Sequence, residues 1–193
     1  MSLGVIQTRS GRIVNVLNFK PEDVDLDDIA CSLSRQARFN GHTTEFYSVA
    51  QHCVHASKVA EQLGYIKPVQ QWALLHDAAE AYIGDIISPI KALFPRLEAV
   101  ENRILYWVCV RVGLLPPHRN PHCLLVKMID EELLAIEAAK FMTPAAWPNP
   151  PASRLDSGFT IDSGWDPERA RLEFARRAVE LGLTPGAKLG GVS

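Results

Sequence analysis

Two short β-prone stretches lie on either side of Ser10-Gly11 between Val5 and Leu17 (VIQTRSGRIVNVL), which predicts a short N-terminal β-hairpin. Beyond Pro21 the apolar spacing lengthens to that of helices. An acidic stretch leads into IACSL, so a helix starts with Asp25 or Asp28 as its N-cap, buries Ile29 and Leu33, and ends near Arg35. The next stretch, RQARFNGHTTEFY, has neither period and reads as a polar loop. Ser48 and Gln51 then stand at capping-box spacing before a stripe of Val49, Cys53, Ala56, Ala60 and Leu63, and Gly64 stops that helix. Good helix formers run without interruption from Pro68 to Tyr82, predicting one helix there. Leu97, Val100, Ile104, Leu105, Val108 and Val112 mark another helix, which ends at Gly113. Its apolar ILYWVCVRVGLL stretch suits either the core or a dimer face. Cys123 to Phe141 is helical by its spacing of Val126, Ile129, Leu133, Ile136 and Ala139. Asp166-Pro167-Glu168 opens a last helix that runs to about Leu181.

These elements predict an all-α helical bundle with a small N-terminal β-hairpin. Residues 1–182 are expected to form a single domain, in which 143–165, rich in Pro, Ser and Gly, is a long irregular loop; residues 183–193 are expected to be a disordered tail. Within that loop, Trp147 is either a cover for a pocket or an aromatic packed beneath the loop.

Composition narrows the functional classes. The chain has 193 residues, 47% of them hydrophobic, enough for one core, and no apolar run long enough to span a bilayer, so no membrane partner is expected. The N-terminus lacks a signal-peptide pattern, and a cytoplasmic location is expected. Cys31, Cys53, Cys109 and Cys123 lack CxxC spacing and are expected to be reduced thiols. With 20 basic and 22 acidic residues the net charge is -2, so no nucleic acid polymer is expected as a partner and a small anion needs a local basic site.

Candidate chemistry is concentrated in WALLHDAAEAY. An imidazole and a carboxylate side by side, His76 and Asp77, are costly to bury in so apolar a context unless something binds them, and a metal ion is the economical partner. Adjacent helical residues differ by roughly 100° in direction, so further ligands must come from other helices. His52, on the inward stripe of its helix, and Asp130, with Val126, Leu133 and Leu134 at neighbouring helical positions, supply them. Two imidazoles and two carboxylates suit one divalent transition metal ion: Mn, Co, Fe, Ni or Zn. Glu80, three and four residues after Asp77 and His76, is placed to act as general acid or base, so Glu80 and Asp77 are the candidate catalytic residues. Arg38 offers a fork of donors for phosphate, with Arg35, His42 and Lys91 as second choices. Asp85, ahead of Ser88-Pro89, is placed as an N-cap. His55 reads as a polar helix residue or as a neighbour of the site. His118, His122 and Cys123 crowd a proline-rich connector at a spacing that matches no standard zinc site.

The order His52, His76-Asp77, Asp130 resembles the HD superfamily of metal-dependent phosphohydrolases. YSVAQHC, LLHDAAEAYIGDIISPIK and VKMIDEELLAIE are similar to helices of bacterial HD-domain 5'-deoxynucleotidases and related phage-type HD proteins, over roughly Ser10 to Met142. The resemblance implies an HD-domain helical bundle with a divalent metal on His52, His76, Asp77 and Asp130, and a catalytic role for Glu80. It also implies an arginine and an aromatic residue beside the substrate phosphate and sugar, which here are Arg38 and Phe39, and homodimers; the likeness of GDIISPIK to a stretch of the family implies that Asp85, instead of an N-cap, is an acceptor for a ribose hydroxyl. The expected activity is 5'-nucleotidase action on deoxynucleoside monophosphates. A nucleoside triphosphate triphosphohydrolase and a non-catalytic nucleotide-binding module are the alternatives.

Overall fold

A computed structural model of the chain describes residues 3–143, 155, 157–161 and 163–183. Trp147, most of the 143–165 segment and all but the first residue of the 183–193 tail lie outside the described residues. The fold is all-α apart from an N-terminal hairpin. Its strands, β1 (Val5–Gln7) and β2 (Ile13–Asn15), pair antiparallel with Ile6 opposite Val14. The helices are α1 (Leu26–Arg35), α2 (Val49–Gln62), α3 (Lys67–Leu75), α4 (Glu80–Ile83), α5 (Ser88–Lys91), α6 (Pro95–Val112), α7 (Cys123–Phe141) and α8 (Pro167–Glu180). Among the described residues no helix is long and apolar enough to cross a membrane.

Of the two candidate caps for α1, Asp25 takes the role, accepting from the Asp27 and Asp28 amides. Asp28 instead accepts from the backbone N–H and hydroxyl of Ser10, at 2.8 and 2.6 Å, which fastens the hairpin turn to α1. Ser48 caps α2 through the Gln51 amide, but only half of the expected capping box forms. The Gln51 side chain leaves its own helix end, donating to the Ser163 carbonyl and accepting from the Trp165 amide. It thereby ties the 163–165 segment to α2.

α2 is the centre of the molecule, packed by α1, α3, α7 and α8. A helix covered on all sides is apolar all round except where each polar group has a partner. The buried polar residues of α2 each reach a different element: Gln51 the 163–165 segment, His52 α7, His55 Tyr47, and Ser57 the guanidinium of Arg177 on α8. The core around it includes Leu33, Leu75, Ile129, Leu133, Phe141 and Phe174, all fully buried. Burying one such side chain contributes roughly 1.5–3 kcal/mol. On α6, Ile104, Leu105, Val108, Cys109 and Val112 are buried, so that apolar stripe belongs to the core. The four cysteines are free thiols.

The helix expected over Pro68 to Tyr82 is divided. α3 ends at Leu75, residues 76–79 form a turn, and α4 resumes at Glu80, although no glycine or proline intervenes. The cause lies in a side chain. His76 Nδ1 donates to the Ala73 carbonyl at 2.8 Å, the acceptor that the Asp77 amide takes in a regular α-helix. Backbone bonds then tighten to i→i−3: Ala78 to Leu75, Glu80 to Asp77, and Tyr82 to Ala79. Such a tightened turn within a helix often marks a functional position.

Candidate metal centre

Four side chains from three parts of the fold converge at this turn: His52 from α2, His76 and Asp77 from the turn, and Asp130 from α7. His52 Nε2 lies 3.3 Å from His76 Nε2, 3.1 Å from Asp130 Oδ1 and 3.6 Å from Asp77 Oδ2. His76 Nε2 lies 3.3 Å from Asp77 Oδ2 and 3.9 Å from Asp130 Oδ1. Ligand atoms about 2.1 Å from a common ion stand about 3.0 Å apart at right angles and about 3.4 Å apart at the tetrahedral angle. The ligand atoms form two overlapping groups, His52 with His76 and Asp130, and His76 with Asp77 and Cys53, and within each group they lie within 4.8 Å of one another. Asp130 is less enclosed than its apolar neighbours indicate: its side chain is 42% exposed, whereas that of His52 is 0% exposed.

Both rings are oriented from behind. Nδ1 of His52 donates to Glu137 Oε1 at 2.6 Å, and Nδ1 of His76 donates to the Ala73 carbonyl. With each Nδ1 committed as a donor, the two Nε2 atoms face each other as potential ligands. Two nitrogens at 3.3 Å call for a proton or a cation between or beside them. Burial and Arg38 oppose charge on His52, yet Glu137 and Asp130 outweigh them and lift its pKa to about 9. A cation placed between the rings would meet the carboxylates of Asp77 and Asp130.

Glu137 is a site residue that the sequence pattern does not single out. It sits on α7 two turns beyond Asp130, on the same face, and is fully buried. Burial opposes its charge, but Arg38 and His52 together keep its carboxyl below the usual range. Its periodicity with Asp130 and Leu133 is the available signal, hidden among the other carboxylates of DEELLAIE. Tyr47, also fully buried, donates its hydroxyl to Glu137 Oε1 at 2.8 Å and meets His55 Nδ1 at 3.0 Å. Cys53 belongs to the apolar stripe of α2, yet its thiol comes within 4.8 Å of ligand atoms of His76 and Asp77. Burial, with Asp77 and Glu80 nearby, raises that thiol's pKa well above its ordinary value.

Arg38 lies within the cluster. Its Nε donates to Glu137 Oε2 at 3.0 Å, and its Nη atoms lie 3.8 Å from Asp77 Oδ2 and 4.0 Å from Asp130 Oδ1. Phe39 follows in a left-handed conformation, φ 54°, with its ring centroid 5.7 Å from the guanidinium carbon. Glu80 is buried, and its Oε2 has no hydrogen-bond partner among the described residues. Burial, then Asp77 and Asp85, pushes its carboxyl well above the usual range. Lys91 stands 3.8 Å from Glu80 Oε1 and is held by Glu101 at 2.9 Å. Asp85 is not an N-cap: α5 begins after Ile87 without a side-chain cap, and the Asp85 amide donates to Gln36 Oε1. Its carboxyl is half-buried, and burial outweighs Arg38 to raise its pKa. His42 is exposed beyond the 38–41 turn, and Arg35 is exposed on α1, where its guanidinium donates to the Cys31 carbonyl; among the described residues neither has a link to the cluster. Elsewhere, His118 stacks on Tyr106 and Cys123 donates to the Pro117 carbonyl; His118, His122 and Cys123 form no ligand cluster among the described residues.

No family model matches the chain. Over 135 residues it is 38% identical to the uncharacterized protein YfdR of Escherichia coli (strain K12), covering 70% of this chain and 71% of that one. Over 137 residues it is 35% identical to an uncharacterized protein of Rhodobacter capsulatus, covering 67% of this chain and 68% of the other.

Proposed function

Because the chain belongs to the family of the Escherichia coli protein YfdR, whose name carries no activity, we propose its function from the site: a metal-dependent phosphohydrolase acting on small nucleotides. The observation that carries this reading is the pair of Nε2 atoms 3.3 Å apart, flanked by the Asp77 and Asp130 carboxylates. A donor set of two imidazoles and two carboxylates fits one divalent ion of the Mn, Co, Fe, Ni or Zn group. When bound, such an ion acidifies water and offsets charge on a phosphoryl oxygen.

The chain's own groups divide the remaining work. Arg38 presents its Nη edge to the cluster, where two donors match phosphate oxygens. Lys91 adds a second cation on the Glu80 side. Glu80, its carboxyl shifted upward by burial and its Oε2 unpaired among the described residues, is placed to pass a proton to a leaving oxygen and to recover one from water afterwards. The resemblance to HD-domain 5'-deoxynucleotidases supports deoxynucleoside monophosphates as the first substrates to test, with triphosphates as the next, and a cytoplasmic setting belongs to the same reading. The test is to purify the protein with Mn²⁺ or Co²⁺ and assay nucleotides for release of phosphate, diphosphate or triphosphate. Metal-dependent release is expected, with Asp77→Asn lowering it by at least about 100-fold while the fold persists. Nucleotide binding without turnover in the metal-loaded wild type overturns the reading in favour of a binding module.

A further inference from the structure

We infer that Glu137 is a positioning residue whose single buried carboxylate sets both the metal-facing ring of His52 and the phosphate-facing fork of Arg38. The inference rests on the function proposed above, and it extends that reading to a residue that touches neither metal nor substrate. Both Glu137 oxygens are already used within the protein. Oε1 accepts from His52 Nδ1 at 2.6 Å and from the Tyr47 hydroxyl at 2.8 Å, while Oε2 accepts from Arg38 Nε at 3.0 Å. The residue is 0% accessible and sits behind the His52 ring, so it is not itself a metal ligand.

Each bond has a directional consequence. Donation from His52 Nδ1 fixes the ring so that Nε2 points at His76, Asp77 and Asp130; a carboxylate behind a ligating imidazole also makes it the better ligand. Engagement of Arg38 through Nε leaves Nη1 and Nη2 turned toward Asp77 and Asp130, the direction from which a phosphate would approach. Moving the carboxylate moves both groups, so metal affinity and phosphate affinity are coupled through it.

The carboxylate is itself held. Since the Tyr47 hydroxyl gives its proton to Glu137, its oxygen accepts from His55 Nδ1 at 3.0 Å. The His55 ring lies between Phe159 and Trp165, with ring centroids at 5.3 and 5.0 Å, and the Trp165 amide is pinned by Gln51. A line of contacts therefore runs from Phe159 and Trp165 through His55, Tyr47 and Glu137 to the His52 ring.

The test compares wild type, Glu137→Gln and Tyr47→Phe by titrating Mn²⁺ into metal-stripped protein and inorganic phosphate into metal-saturated protein. A glutamine keeps the shape but has one acceptor oxygen, so it can serve His52 or Arg38 and not both. Glu137→Gln is expected to weaken Mn²⁺ about 10–100-fold and to weaken phosphate even at saturating metal; Tyr47→Phe moves both in the same direction by less. If Glu137→Gln lowers only the melting temperature while both affinities stay at wild-type values, the inference is overturned and the residue is merely structural. A wild type that binds no divalent ion overturns the proposed function as well, which separates the two failures. Should Glu137→Gln fail to fold, ¹⁵N NMR of wild type loaded with Zn²⁺ decides: a proton on His52 Nδ1 is expected, and a proton on His52 Nε2 overturns the inference.

Discussion

His55 shows how burial governs a titrating group that does no chemistry. Enclosed by Tyr47, Phe159 and Trp165, it pays for a charge mostly in lost solvation, and despite nearby Glu137 its pKa falls to about 3 from an ordinary 6.5. The folded chain thus refuses a proton that the unfolded chain accepts. Its contribution to stability is complete above pH 6.5 and is lost as pH falls toward 3, at up to about 1.4 kcal/mol per pH unit. Denaturant unfolding of metal-stripped wild type and His55→Gln from pH 7 to pH 4 is expected to show a shallower acid loss for the variant; parallel curves would mean that His55 is protonated in the fold. Residue type together with helical spacing makes His52, His76, Asp77, Asp130 and Glu80 legible in the sequence. Glu137 and Cys53 are not, because their roles depend on contacts between helices: Glu137 is one carboxylate among several on α7 until His52 and Arg38 are placed against it.

At the scale of elements, the 38–41 turn carries the clearest strain. Phe39 and Asn40 both adopt left-handed backbone, φ 54° and 52°, and for an aromatic residue this costs roughly 1–2 kcal/mol relative to glycine. The chain accepts that cost directly after Arg38, where the turn aims a half-buried ring beside the guanidinium. Phe39→Gly is expected to stay within about 1 kcal/mol of wild-type stability, since relief of strain offsets the lost ring packing and the looser unfolded chain, while nucleotide KM rises several-fold. A stability loss above about 2 kcal/mol would make the ring a packing residue rather than a substrate contact. The sequence predicts an irregular loop here but not its handedness, because Phe-Asn-Gly leaves it open which residues turn left. The same limit applies at residues 76–79. Every residue of LLHDAAEAY is compatible with a helix, and only the hydrogen bond from His76 to the Ala73 carbonyl reveals the tightening that stacks Glu80 beyond Asp77. The boundaries of α1, α2, α7 and α8 are readable because their sequence signals are local; at three of them Asp25, Ser48 and Asp166 each bond amides within three residues.

For the molecule as a whole, the proposed ligands join elements far apart in the chain. His52 lies on the central helix, His76 and Asp77 follow α3, and Asp130 lies on α7, with α8 and the 163–165 segment closing the other side of α2. An ion held by all four binds the folded chain and not the unfolded one, so its free energy of binding adds to global stability. At a free metal concentration 100 times Kd the gain is about 2.7 kcal/mol. In a domain of this length that corresponds to roughly 5–10 °C in melting temperature. Stripping with a chelator is expected to lower the midpoint by this amount and to restore it on adding Mn²⁺, in proportion to the logarithm of metal concentration. Asp130→Asn should abolish most of the metal-dependent shift and also lower the metal-free midpoint, because in the metal-free protein the Asp130 carboxylate, 3.1 Å from His52 Nε2, helps to hold that fully buried ring. A melting temperature indifferent to chelator and metal alike would mean that the three elements are held by packing alone and that the convergent side chains bind no ion.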